Sequence, residues 1–152
     1  MPIGAFVTRR EIYQKVFSRL DRCVVHSTTF GRNNLAMACG LATLQVIEEE
    51  KLVEQAARNG ELIMEGLADF AERYSHVKAA RGRGLMLGLV LDQPVKPLCA
   101  KMAEAGLLTL ATAENVVRLL PPLNVKDGEI EEALEIMDDC LAELHGTAEA
   151  GE

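Results

Sequence analysis

The stretch 77–91, VKAARGRGLMLGLVL, reads as two short strands, residues 77–84 and 85–91, joined through or near RGRG. Short apolar runs broken by turn residues are strand signals. Its glycines invite comparison with a dinucleotide fingerprint. The pattern is G-x-G-x-x-x-G, not G-x-G-x-x-G, and no βαβ unit surrounds it. Glycines that permit a tight turn are the better account. Downstream, Pro94 and Pro97 bracket a turn, and Pro97 suits the first turn of a helix running to about Ala105, with Gly106 as its stop. LLTLA (107–111) and VVRLL (116–120) read as two further strands around TAEN, ended by Pro121 and Pro122. A last helix follows, with Asp127 as N-cap and Ile130, Leu134, Met137, Leu141 and Leu144 at helical spacing. The tail HGTAEAGE is expected to fray.

Upstream, the pattern is helical from Asn33, a capping residue, to about Tyr74, as one long helix or two with a bend. Its first part, NLAMACGLATLQVI, is apolar on nearly all sides and is expected to be buried. Beyond EEEK the pattern becomes one-sided, with Leu52, Val53, Ala56, Ile63, Leu67, Phe70 and Ala71 recurring. Residues 3–8 read as a strand, 9–17 as a short helix, and Val24 and Val25 as the end of a strand before a loop. The order after residue 76 is β-β-α-β-β-α. An α+β fold is expected, with a small, largely antiparallel sheet covered by helices after a long linking helix.

At 152 residues the chain is about one ordinary domain, with 49% hydrophobic and 26% charged residues. Aromatics are 4%, which weakens any case for base stacking. A net charge of -7 argues against unaided binding to nucleic acid or an acidic membrane, yet leaves room for one local anion site. The longest mostly apolar stretch, Leu35 to Ile47, is shorter than the ~20 residues that span a bilayer. No secretory signal is visible. Four cysteines without a C-x-x-C pair read as reduced thiols in the cytoplasm, and the three histidines lack metal-ligand spacing. No metal is expected.

Two places could carry chemistry. HSTTFGRN (26–33) puts hydroxyls before a Gly, an Asn and a helix start. These are the ingredients of a phosphate site, and equally of capping and turn chemistry. Arg118 stands in the apolar strand VVRLLPPL, on the face of Val116 and Leu120. An arginine there must snorkel, pair with a carboxylate, or bind an anionic ligand.

MPIGA, HSTTFGRNNLAMACGLATL, RGRGLMLGLVL and VVRLLPPLNVKDGEIEEALEIM occur in the order found in class III aminotransferases. From residue 1 to about residue 144 the chain resembles the ornithine, acetylornithine, putrescine and 4-aminobutyrate transaminases. The resemblance implies a fold-type-I pyridoxal 5'-phosphate enzyme, normally a homodimer, acting on small-molecule amines and 2-oxo acids. It implies that residues 1–45 are the end of the large cofactor-binding domain and the start of a linking helix. Residues 46–146 would be the small C-terminal domain, and 147–152 a frayed tail. By resemblance, Thr29 hydrogen-bonds the cofactor phosphate of the neighbouring subunit, Thr28 adds a donor beside it, and Arg118 holds the substrate carboxylate.

The family's loop is commonly H-G-S-T-F-G-G-N-P. Here Ser27, Arg32 and Asn34 replace the first Gly, the second Gly and the Pro. The loss of a glycine puts the backbone angles of the loop in question. The family's Schiff-base lysine lies a few residues before P-I-G-A. Lys15, Lys51, Lys78, Lys96, Lys101 and Lys126 do not match that position. The expectation is therefore a C-terminal portion of a transaminase, inactive alone and with no catalytic residue of its own. The alternatives to such a fragment are half of a split enzyme that complements a separate N-terminal chain, and a non-catalytic interaction domain.

Overall fold

The computed structural model describes residues 2–22 and 25–149, with side chains through Leu144. The chain divides into two compact units, residues 1–50 and 51–152.

The first unit contains helix α1 (Arg10–Val16), a 3-10 turn (Leu20–Arg22) and helix α2 (Asn34–Glu49). The side chain of Asn33 caps α2, accepting from the Ala36 N–H at 2.8 Å. Residues 3–8 form no strand. A strand needs a ladder partner, and among the described residues none pairs with this segment. Instead Phe6 meets His26 edge-on, with ring centroids 5.5 Å apart. Ile3 Cδ1 lies 2.9 Å from where a Cβ on Gly40 would stand. Val25 lies in a turn, and Val24 is outside the described residues. The expectation that α2 is buried also fails. Only Ala36 is buried, while Leu35, Leu41 and Leu44 are each more than 60% exposed. An apolar sequence supplies the drive to bury a helix but not the surface that covers it.

Two helices, not one, cover the long helical pattern. The break falls at Lys51, whose backbone is left-handed (φ 51°). Helix α3 (Leu52–Arg73) starts the second unit. Ile63, Leu67 and Phe70 recur on its buried stripe, whereas Val53, expected on that stripe, is exposed. Strands β1 (Val77–Arg83) and β2 (Met86–Leu91), helix α4 (Lys96–Glu104), strands β3 (Leu110–Thr112) and β4 (Val116–Leu119) and helix α5 (Asp127–Glu149) follow. The four strands form one antiparallel sheet in the order β1-β2-β4-β3. This is the expected α+β architecture.

The core lies on one face of that sheet. Leu87, Leu89, Leu91 and Val117 meet Leu67, Leu98, Met102, Met137 and Leu141, all nearly inaccessible. Each such side chain contributes about 1.5–3 kcal/mol on burial. A register shift between Val77 and Ala79 leaves Lys78 as an extra residue in β1. Because strand faces alternate, this bulge lets Val77 and Ala80 both join the core while Ala79, Arg81 and Arg83 face the other way.

Local chemistry fixes the connections. Helix α4 ends at Gly106 (φ 101°), where the Leu107 N–H donates to the Met102 carbonyl at 2.8 Å and the Gly106 N–H to the Ala103 carbonyl at 3.1 Å. That is a Schellman stop. Asp127 is not the cap of α5 but its first residue. The Glu129 side chain accepts from the Lys126 N–H instead, and Asp127 is drawn into a two-pronged pair with Arg58 at 2.8 and 2.6 Å. Helix α5 runs through Glu149. None of its last residues is a proline, so apolar periodicity can end before the helical backbone does.

At the other end of α3, the Tyr74 hydroxyl donates to Asp138 at 2.6 Å and the Arg73 guanidinium lies 2.9 Å from the same carboxylate. Burial opposes ionisation of Asp138, but these two donors outweigh it and hold its carboxyl below the usual range. Burial, then the bond to Asp138, pushes the Tyr74 phenol up to about 12. Burial likewise raises the Cys140 thiol.

The turn of the β1–β2 hairpin is Gly84–Leu85, with Gly84 in the left-handed region (φ 52°). Helix α3 passes so close that a Cβ on Gly60 would stand 2.3 Å from the Gly84 carbonyl oxygen. Backbone cannot swing aside as a side chain can. In an open helix Gly→Ala stabilises by up to about 1 kcal/mol. Gly60→Ala should instead destabilise by about 1–3 kcal/mol through overpacking, measured as a lowered urea midpoint. A raised midpoint would contradict this contact.

Candidate functional site

The threonine loop is a compact turn. The Gly31 N–H donates to the Thr28 carbonyl at 3.0 Å, and Asn33 Nδ2 donates to the Phe30 carbonyl at 2.6 Å. A Cβ on Gly31 would lie 2.9 Å from Thr28 Oγ1 and 3.2 Å from the Thr28 carbonyl, so a side chain here would crowd the turn and shift Thr28. Arg32, standing where the family commonly has glycine, keeps a left-handed backbone (φ 62°). A left-handed backbone at a residue with a side chain is strained. Thr28 and Thr29 are exposed, and neither hydroxyl has a hydrogen-bond partner among the described residues. Both precede the N-terminus of the 16-residue helix α2, whose dipole favours an anion. Free hydroxyls beside a helix N-terminus suit a phosphate.

Arg118 belongs to the second unit. In β4 its neighbour Val117 is fully buried in the core, so Arg118 points to the opposite face with Val116. It sits directly opposite Gly88 of β2 and Leu110 of β3. Its Nε is buried and has no hydrogen-bond acceptor among the described residues. A cation so placed lacks the carboxylate that Arg58 finds in Asp127 and Arg73 in Asp138. A guanidinium fork matches a carboxylate. A hollow of about 390 Å³ elsewhere in this unit, walled by Leu107, Leu119, Pro121, Leu134 and Met137, holds one carboxylate, Glu129, and neither Arg118 nor the threonines. It is too apolar to recognise an oxyanion.

The sheet also reveals residues that motif reading passed over. Arg81 and Arg83 lie on the same face as Arg118, and Arg81 faces Gly88 from the side opposite Arg118. The signal was present as R-x-R within a strand, but its face depends on the bulge at Lys78.

The second unit is an α+β unit with one antiparallel sheet, one face of it packed and the other bearing arginines that have no carboxylate partner among the described residues. Residues 1–141 match the profile of the aminotransferase class-III family. The chain belongs to that family. It is 38% identical over 144 residues to the acetylornithine aminotransferase of Caldanaerobacter subterraneus subsp. tengcongensis, covering 94% of this chain and 35% of that protein. With the acetylornithine aminotransferase of Bacillus subtilis it shares 40% over 142 residues, covering 93% and 35%. Among solved structures, an amine transaminase from an uncultivated Pseudomonas species in a PLP-bound form aligns with TM-score 0.77 and 27% identity, over 88% of this chain and 33% of that one. Ornithine δ-aminotransferase of Plasmodium falciparum aligns with TM-score 0.76 and 29% identity, over 84% and 35%. The chain thus spans about a third of the length of these relatives. Pyridoxal phosphate is the cofactor indicated for the family. No helix among the described residues is long and apolar enough to cross a membrane.

Replacing Arg32 by glycine should relieve the left-handed strain, by about 1 kcal/mol. Slower amide exchange at Gly31 and Ala36 in Arg32→Gly would show it. Unchanged or faster exchange would mean that Arg32 costs nothing where it stands.

Proposed function

We propose that these residues form the C-terminal portion of a pyridoxal-phosphate-dependent transaminase. It moves an amino group between an amine or ω-amino acid and a 2-oxo acid. The observation that carries this is the buried, acceptor-free Nε of Arg118 in a chain of this family. Arg118 takes the carboxylate of the substrate. Thr29, with Thr28 beside it, holds the cofactor phosphate; their free hydroxyls and the helix entry support this. The cofactor, when bound, supplies the electron sink for proton removal next to nitrogen.

In this proposal residues 1–45 belong to the end of the larger cofactor-binding domain and 46–146 to the small domain. No lysine of the 152 residues stands at the family's cofactor-binding position, so the chain alone does not transaminate. Its partner is an N-terminal portion carrying that lysine, in one polypeptide or as a separate chain, within a cytoplasmic homodimer. The exposed apolar residues of α2 favour a covering partner. They equally favour the reading of the chain by itself as an interaction domain that self-associates.

The test is a fusion. The N-terminal two-thirds of the Bacillus subtilis relative, joined to this chain where the match begins, should bind pyridoxal phosphate and turn over. The 152-residue chain alone should do neither, and should sediment as larger than a monomer. In the fusion, Arg118→Gln should raise KM for the 2-oxo acid roughly 10–100-fold, the loss of a charge-assisted bond of about 1.5–3 kcal/mol. Turnover by the isolated chain, or an unchanged KM, would contradict the proposal.

A further inference from the structure

Arg32 is placed where an arginine works against the fold in two ways. Its backbone is left-handed (φ 62°), a region that a side chain disfavours. It also stands immediately before Asn33, the N-cap of α2, so its charge lies at the positive end of the helix dipole. A cation is unfavourable there. Nothing among the described residues offsets these costs. Arg32 is exposed and makes no ion pair and no side-chain hydrogen bond among them, whereas Arg19, Arg58 and Arg73 each find a carboxylate.

The surrounding sequence sharpens the contrast. Between Arg22 and Glu48 the chain has no lysine, aspartate, glutamate or other arginine. The first turn of α2 carries no acidic residue. The positive end of the helix and the Arg32 charge therefore add, and no carboxylate of this segment neutralises them. The bond from the Gly31 N–H to the Thr28 carbonyl keeps Thr28, Thr29 and Arg32 at one compact turn, so this charge stands beside two free hydroxyls. Such a field stabilises a bound anion and burdens the empty loop.

We propose that Arg32 is a third phosphate ligand of this loop: its guanidinium supplies charge, beside the hydroxyl donors of Thr28 and Thr29, to the phosphate monoester of the cofactor. This rests on the assignment of the two threonines to that phosphate and adds the one charged group of the loop. A guanidinium fork matches phosphate oxygens as it matches a carboxylate. The glycine common at this position in the family offers a relaxed backbone but no charge. Arginine exchanges stability of the empty loop for affinity toward the anion. Arg32→Gln and Arg32→Gly separate the two effects, because both remove the charge and only glycine removes the strain.

The probe is inorganic phosphate, titrated at constant ionic strength into the ¹⁵N-labelled 152-residue chain. Binding is followed through the amide signals of Thr29, Gly31 and Asn33. These signals are expected to shift saturably. Affinity should weaken roughly fivefold in both Arg32→Gln and Arg32→Gly, the upper range for an exposed ion pair. Lys15→Gln removes an equal charge from the same unit and should change affinity by no more than about twofold, since salt screens distant charges. Without phosphate, amide exchange at Gly31 and Ala36 should slow in Arg32→Gly but not in Arg32→Gln. The proposal is overturned if Arg32→Gln binds phosphate as tightly as the parent chain, if Arg32→Gly alone weakens binding, or if Lys15→Gln weakens it as much as Arg32→Gln. Phosphate that shifts none of the three signals in the parent chain would remove instead the phosphate role of the threonines, and that of Arg32 with it.

Discussion

Everything distinctive about the second unit depends on the register of one antiparallel sheet. Strand side chains alternate between faces, so a slip of one residue exchanges the faces completely. In the observed register the leucines of β2 and Val117 of β4 lie under α3, α4 and α5, and the arginines lie on the other side. The bulge at Lys78 is part of this constraint. Without it, Val77 would share a face with Arg81 and Arg83, and β1 could not give both its valine and Ala80 to the core. Burying a guanidinium without a partner costs far more than an apolar side chain returns. The hydrophobic core and the cationic face are therefore set by the same choice.

The contacts around the sheet hold that choice in place. Gly60 lets α3 come down onto the hairpin turn at Gly84, and Asn59 beside it donates to the Val125 carbonyl at 2.9 Å. Arg58 ties the start of α5 through Asp127, and Tyr74 and Arg73 tie its middle through Asp138. Most of these ion pairs are more than a third exposed, so each adds little stability alone. Their value is orientation: they fix where α5 crosses, while the apolar contacts supply most of the free energy.

Much of this was legible in the sequence. Periodicity, caps and the Pro97 and Gly106 signals located the helical segments, with the break at Lys51 left open between one helix and two, and RGRG located the hairpin, because strong local patterns and turn residues act within a few residues. Thr28, Thr29 and Arg118 stood out as polar groups at a helix entry or inside an apolar strand. What was not legible required distant partners. Among the described residues, the strand expected at residues 3–8 has β character but no neighbour to pair with, and α2 has the composition of a buried helix but exposed leucines. Arg81 escaped notice because its orientation depends on one extra residue in β1, a feature with no sequence signature here. Arg32 shows the converse: a residue with a side chain can stand in a left-handed backbone position, at a cost in strain.

The most direct test of the account is the sheet register in solution. Cross-strand nuclear Overhauser contacts can be recorded on the isotope-labelled 152-residue chain. The account predicts contacts that set Gly88 opposite both Arg81 and Arg118, and Leu89 opposite both Ala80 and Val117. Contacts setting Gly88 opposite Gly82 or Val117 would mean a register slipped by one, with the arginines on the core side, and would contradict it.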